Sequence, residues 1–112
     1  MVVNVYEQYF AAEACFNEVR RQGAKVMLIA DSEKGWIRYT AAVTFFPHVD
    51  EEDYAISYDA YYEQVIHEGK GRRSKKREAV FLEELPAIID ELSKQQNAKV
   101  FWNKPLREAR RG

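Results

Sequence analysis

Six cations stand within eight residues, at Lys70, Arg72, Arg73, Lys75, Lys76 and Arg77. A run this dense can neutralise several phosphates, and such binding weakens steeply as salt rises. Gly69 and Gly71 punctuate the run, which predicts a mobile loop that orders on its partner. The plain alternative is a solubilising loop whose cations pair with Glu78, Glu83 or the acidic stretch upstream. Ser74 reads as a helix N-cap. Part of the run would then fall in a first helical turn, where positive charge is unfavourable. That placement counts against binding of a polyanion such as nucleic acid, although an unfavourable placement can itself signal function.

A second candidate surface comes from strand alternation. Over Trp36–Phe46, period two puts Ile37, Tyr39, Ala41, Val43 and Phe45 on one face. Trp36, Arg38, Thr40, Ala42, Thr44 and Phe46 take the other. In a following strand, Tyr54–Ile66, one face carries Tyr54, Ile56, Tyr58, Ala60 and Tyr62. The opposite one carries Ala55, Ser57, Asp59, Tyr61 and Glu63. With helices covering the apolar face, the aromatic-polar face is left open and reads as an interface. Trp36, Arg38, Thr40, Phe46 and Tyr61 are the residues expected to carry it. Self-association, sheet on sheet, is the leading occupant. A protein partner, or bases stacked on the rings, are the alternatives.

Catalytic chemistry finds less support. Asp59, Glu63 and His67 share strand parity and contain an acid and a base. Successive members would lie about 13 Å apart along a strand, so one substrate does not reach all three. His48, Asp50, Glu51, Glu52 and Asp53 cluster carboxylates in a turn without the alternating spacing and central glycine of a calcium loop. Cys15 is expected to pack as a small hydrophobe. Gly69-Lys70-Gly71 lacks the spacing of a phosphate-binding P-loop. No metal or cofactor is expected. A small-molecule site, if the chain is an enzyme, would lie between sheet and helices near Tyr39, Tyr58 and Tyr62.

The elements that must position these residues follow from punctuation and periodicity. Asn4 and Glu7 are spaced as a capping box. Val5, Tyr9, Ala12, Phe16 and Val19 follow at helical spacing, and Arg20, Arg21 and Gly23 supply end signals. A helix over 5–22 is predicted. Lys25–Ala30 reads as a short buried strand, and Asp31–Gly35 as a hairpin turn. The strand pair 36–46 and 54–66, joined by a turn at 47–53, comes next, with a bulge expected near Asp59-Ala60. Phe81, Leu85, Ile88, Ile89 and Leu92 mark a second helix, kinked or restarted at Pro86. Lys99–Trp102 reads as a last strand and 107–112 as a charged tail. The fold class is therefore α+β, in the order α-β-β-β-α-β. A mostly antiparallel four-stranded sheet carries two helices on one face.

Composition sets outer bounds. The chain has 112 residues, 46% of them apolar and 31% charged, which suits one domain with a real core. Net charge is −1, yet the balance over residues 1–68 is −7 and over 69–112 is +6. Such asymmetry predicts a polarised surface, or two halves that neutralise each other on folding. One cysteine excludes an intramolecular disulfide. No apolar run approaches the roughly 20 residues that span a bilayer, and the first residues lack a signal-peptide pattern. The expectation is a cytoplasmic, non-catalytic binding protein that acts as a homodimer away from membranes. Polyanion binding through residues 70–77 is the rival reading, and a small enzyme the third.

Overall fold

The computed structural model describes residues 1–47 and 60–102. They form an α+β structure of five antiparallel strands and one helix. β1 (Val2–Phe16), β2 (Val19–Glu33), β3 (Trp36–Phe46) and β4 (Ala60–Lys70) make a meander. α1 (Lys75–Lys94) then crosses one face of the sheet, and β5 (Lys99–Phe101) pairs with β1. The sheet order is β4-β3-β2-β1-β5.

The predicted helix over 5–22 does not form. That stretch is a long hairpin, so the order is β-β-β-β-α-β, with a fifth strand in place of the first helix. The cause lies in two bulges. Val5 is an extra residue between the pairs Asn4–Ile29 and Tyr6–Leu28. Ala12 and Glu13 together face the single Gln22. Each bulge shifts the strand phase by one residue. The combined spacing of apolar positions then imitates a helical stripe. The stripe residues end on different faces: Phe16 packs into the core beside Phe45, while Tyr9 stacks on Phe46 on the other side. Gly23 is no helix cap but sits within β2, opposite Ala11 and Phe46. Asn17 and Glu18 both hold positive φ, 51° and 65°. That is the backbone of a two-residue turn whose twist matches the flanking strands. Buried Arg21 fastens this end, donating to the carbonyls of Phe16 and Val19.

β3 has the boundaries that its alternation predicts. It occupies the interior of the sheet, between β2 and β4. Its apolar face, Ile37, Tyr39, Ala41, Val43 and Phe45, is fully buried. Together with Ala24, Val26 and Leu28 of β2, it meets Leu85, Ile89 and Leu92 of the helix. Burying each such helix side chain is worth about 1.5–3 kcal/mol, enough to dock the helix across the sheet. Pro86 removes one backbone bond but does not split the helix, which runs unbroken from Lys75 to Lys94.

The strand after β3 is described from Ala60 and runs to Lys70, past its predicted end at Ile66, while its predicted start at Tyr54 lies outside the described residues. The predicted turn at 47–53 and the residues up to Asp59 lie outside the described residues, except Pro47. The predicted tail at 107–112 does too. A bulge does occur in β4, at Ile66, between the pairs Tyr39–His67 and Thr40–Val65.

Candidate functional site

The basic run is built onto two backbone anchors. The β2–β3 turn, Lys34-Gly35, has φ of 50° and 77°, a second tight two-residue connection. The amide of Gly71 donates to the carbonyl of Gly35 at 2.8 Å. Gly71 holds φ of +139°, a region that side chains with a Cβ rarely enter. The chain leaving β4 is thereby pinned against the turn leaving β2.

Three residues further on, α1 is locked to the sheet. Ser74 is its N-cap, accepting from the Arg77 amide at 3.3 Å. Glu78 is buried, 6% exposed, in the first turn. Its carboxylate accepts the Tyr39 hydroxyl at 2.7 Å and both Nε and Nη2 of Arg73 at 3.0 Å. The Tyr39 oxygen in turn accepts the Ser74 amide at 3.1 Å. The Arg73 fork holds the Glu78 carboxyl below the usual range, with burial opposing and the Tyr39 hydroxyl assisting. Burial, then donation to that carboxylate, raises the Tyr39 hydroxyl. The same ion pair raises Arg73. Nearby, Arg77 Nη1 lies 2.9 Å from Nε2 of His67. A guanidinium has no acceptor, so the imidazole nitrogen accepts.

The run is therefore spread over three elements rather than held in one loop. Lys70 ends β4, Arg72 to Ser74 form the junction, and Lys75 to Arg77 open the helix. Two of the six cations are committed, Arg73 to Glu78 and Arg77 to His67. Lys70, Arg72, Lys75 and Lys76 are exposed and make no ion pair with a described residue. Sequence spacing anticipated the positive charge at the helix start, and Glu78 is the acidic residue of that first turn.

The junction and the turn enclose an open cleft of about 470 Å³. Ser32 to Trp36 line it from the turn, and Gly71 to Arg73 from the junction. Trp36 is 45% exposed and pairs across the strands with Lys70. Two surfaces that the sequence treated separately, the aromatic face and the basic run, thus meet at one end of the sheet.

The remaining interface residues are spread along the β3–β4 pair on the face opposite the helix. Arg38 is tied to Glu68 at 2.7 Å, its partner across the strands. Thr40 and Phe46 are already buried within the chain, Phe46 against Tyr9. Tyr61 is 48% exposed and donates to Glu63 at 2.8 Å. Partial burial and that carboxylate push its hydroxyl up to about 12. Tyr61 stands opposite Thr44, eight residues along β3 from Trp36, roughly 27 Å away.

The acid–base set does not assemble. The bulge at Ile66 reverses strand parity, so Glu63 sits opposite Ala42 on the open face while His67 sits opposite Tyr39 beneath the helix. Asp59 lies outside the described residues, as do Tyr58 and the acidic cluster from His48 to Asp53. Tyr62 packs against Phe16 and Phe45. Cys15 is exposed on β1 opposite Arg20, not packed as a small hydrophobe. Among the described residues, no group of three or more His, Cys, Asp or Glu is placed to hold a metal ion. No described helix is long and apolar enough to cross a membrane.

No family model, curated protein or solved structure matches this chain.

Proposed function

We propose that this chain is a non-catalytic binding protein whose ligand is a phosphate-bearing polyanion, held at the cleft between the β2–β3 turn and the β4–α1 junction. The observation that carries the reading is that exposed Lys34 and Arg72 line the cleft together with Trp36, while exposed Lys70 pairs across the strands with Trp36 and exposed Lys75 and Lys76 open the helix that follows the junction. The lysines that open α1 also stand at the positive end of the helix dipole. A bound anion relieves that repulsion. The backbone bond between Gly71 and Gly35 and the Arg73–Glu78 pair hold the walls in place, which lowers the ordering cost of binding. A titration with heparin and with oligonucleotides at low and moderate salt tests it. Binding that weakens steeply with salt is expected. Absence of binding at low salt removes the reading.

A second reading is self-association through the face opposite the helix, around Trp36, Arg38, Thr40, Phe46 and Tyr61. It is favoured by two half-exposed rings on that face, Trp36 and Tyr61. It is weakened by the burial of Thr40 and Phe46 within one chain. Sedimentation at micromolar concentration discriminates, since a clean monomer rejects it.

A further inference from the structure

We infer that the polyanion is a single-stranded nucleic acid, with one base stacked on the Trp36 indole and its flanking phosphates on Arg72 and Lys34. The inference rests on the polyanion reading above and adds the ligand's chemistry.

Three features of the cleft select this ligand over other polyanions. The first is the ring. Polyphosphates have no apolar face to lay on an indole, and a sulfated sugar ring offers only a small, puckered C–H face crowded by charge, whereas a base is flat and aromatic. Trp36 is 45% exposed at the mouth of a basic cleft, an apolar surface that a purely electrostatic site does not need. An unpaired base covers it, and base–aromatic stacking beside a cationic groove is how single strands are held without sequence preference. The second feature is size. A volume of about 470 Å³ falls in the range of small-ligand pockets, about 300–1,000 Å³. A base entering such a cleft must leave its helical stack, so a duplex is disfavoured. The third is the placement of charge. Trp36 is followed across the strands by Lys70 and flanked by Lys34 in its own turn. Arg72 reaches the cleft from the junction. Cations thus come from both chain segments that form the walls, as a backbone passing over a stacked base requires. Glu33 also lines the cleft and opposes a phosphate there. Its carboxylate can instead accept from an N–H on the Watson–Crick edge of a base, such as N3–H of thymine.

The test uses the full chain carrying Trp102→Phe, so that Trp36 is the remaining tryptophan. Trp102 packs edge-on against Phe10, apart from the cleft lining. Fluorescence is followed during titration with a thymidine oligonucleotide of about ten nucleotides, with a duplex of equal length, and with heparin, at one low salt concentration. The single strand should quench Trp36 strongly, and heparin little. In a second series, with binding read by anisotropy of labelled ligand, Trp36→Ala should weaken the oligonucleotide about 5- to 150-fold, the worth of one base–aromatic stack. It should leave heparin affinity and the salt slope unchanged. Trp36→Phe, which keeps a ring, should retain most of the affinity and guards against misfolding in the alanine variant. If all three ligands bind alike and Trp36→Ala changes none of them, base stacking is wrong and the polyanion reading stands. If none binds at low salt, both fall.

Discussion

The hydroxyl of Tyr39 donates to the Glu78 carboxylate at 2.7 Å, joining the interior strand of the sheet to the first turn of the helix. Tyr39 is fully buried, and its oxygen also accepts the Ser74 amide. Tyr39→Phe leaves that amide without its acceptor and takes one donor from a buried carboxylate. The expected loss is about 1–3 kcal/mol of unfolding free energy, read by urea denaturation. An unchanged midpoint would show that the network does not hold the helix.

The same network sets a pH dependence. Glu78 titrates below its ordinary 4.5 in the folded protein, mainly because Arg73 binds it. A depressed carboxyl stabilises the fold above its unfolded value, and that stability is lost as pH falls through the folded value. Tyr39 is raised above 10.0, so its contribution is complete below that pH and is lost as pH rises through the folded value. Unfolding free energy measured across pH should therefore fall on both sides. Glu78→Gln should be less stable near neutrality and should lose part of the acid slope. An acid limb parallel to that of the unsubstituted protein would assign the slope to other carboxylates.

Gly71 and Gly69 lie two residues apart and should respond in opposite ways. A Cβ on Gly71 would meet only Ile37 Cγ2, at 3.9 Å, so space is no obstacle. Its φ of +139° is the obstacle, and Gly71→Ala should cost about 1–3 kcal/mol. Gly69 has no atom within 4 Å of a built Cβ and no positive φ. Gly69→Ala should stabilise by about 0.4–1 kcal/mol through the unfolded chain. Equal effects in thermal melts would contradict the backbone assignment.

What the sequence revealed and what it hid differ for physical reasons. β3 was legible because Trp36–Phe46 alternates without interruption between two neighbouring strands. The helix was legible from Ser74 through Leu92, where cap and apolar stripe agree. The β1–β2 hairpin was not, because bulges at Val5 and at Ala12-Glu13 break the period that identifies strands. The turn at Asn17-Glu18 lacks the glycine that usually marks such a hairpin. At the site, the six cations were visible, but their division into bound and unbound was not. That division depends on Tyr39 and Glu78, 39 residues apart, meeting across the core.

The same turn offers a stabilising change. Glu18 holds φ of 65°, a conformation that costs a side chain roughly 1–2 kcal/mol. Glu18→Gly makes the pair Asn-Gly, the most favourable for a turn of this kind. Added freedom in the unfolded chain offsets part of the gain, so a net rise of several tenths of a kcal/mol is expected, about 0.5. A fall in melting temperature would mean that Glu18 makes a contact worth more than its strain.

Ser93 offers another. It is 1% exposed, and its hydroxyl has no hydrogen-bond partner among the described residues. Ser93→Ala removes an unsatisfied buried group and improves helix propensity. The expected gain is about 0.5–2 kcal/mol. A loss of that size in urea denaturation would show that the hydroxyl is satisfied in solution.

Lys76 separates stability from binding. It is exposed in the first turn of α1, where the helix dipole repels it, beside Lys75 and Arg77. Lys76→Glu replaces that repulsion with attraction and should stabilise the fold by about 0.3–1 kcal/mol at low salt. Under the polyanion reading the same change removes a phosphate contact and adds a repulsive charge. Affinity for heparin or a single-stranded oligonucleotide should fall, and the salt slope should drop by about 0.7–0.9 if one contact is lost. The two effects have opposite signs in one variant, so general unfolding cannot produce the result. A variant that is more stable and binds as before would separate Lys76 from the ligand and shift the contact toward Arg72 and Lys34. A variant that is less stable would contradict the helix start itself.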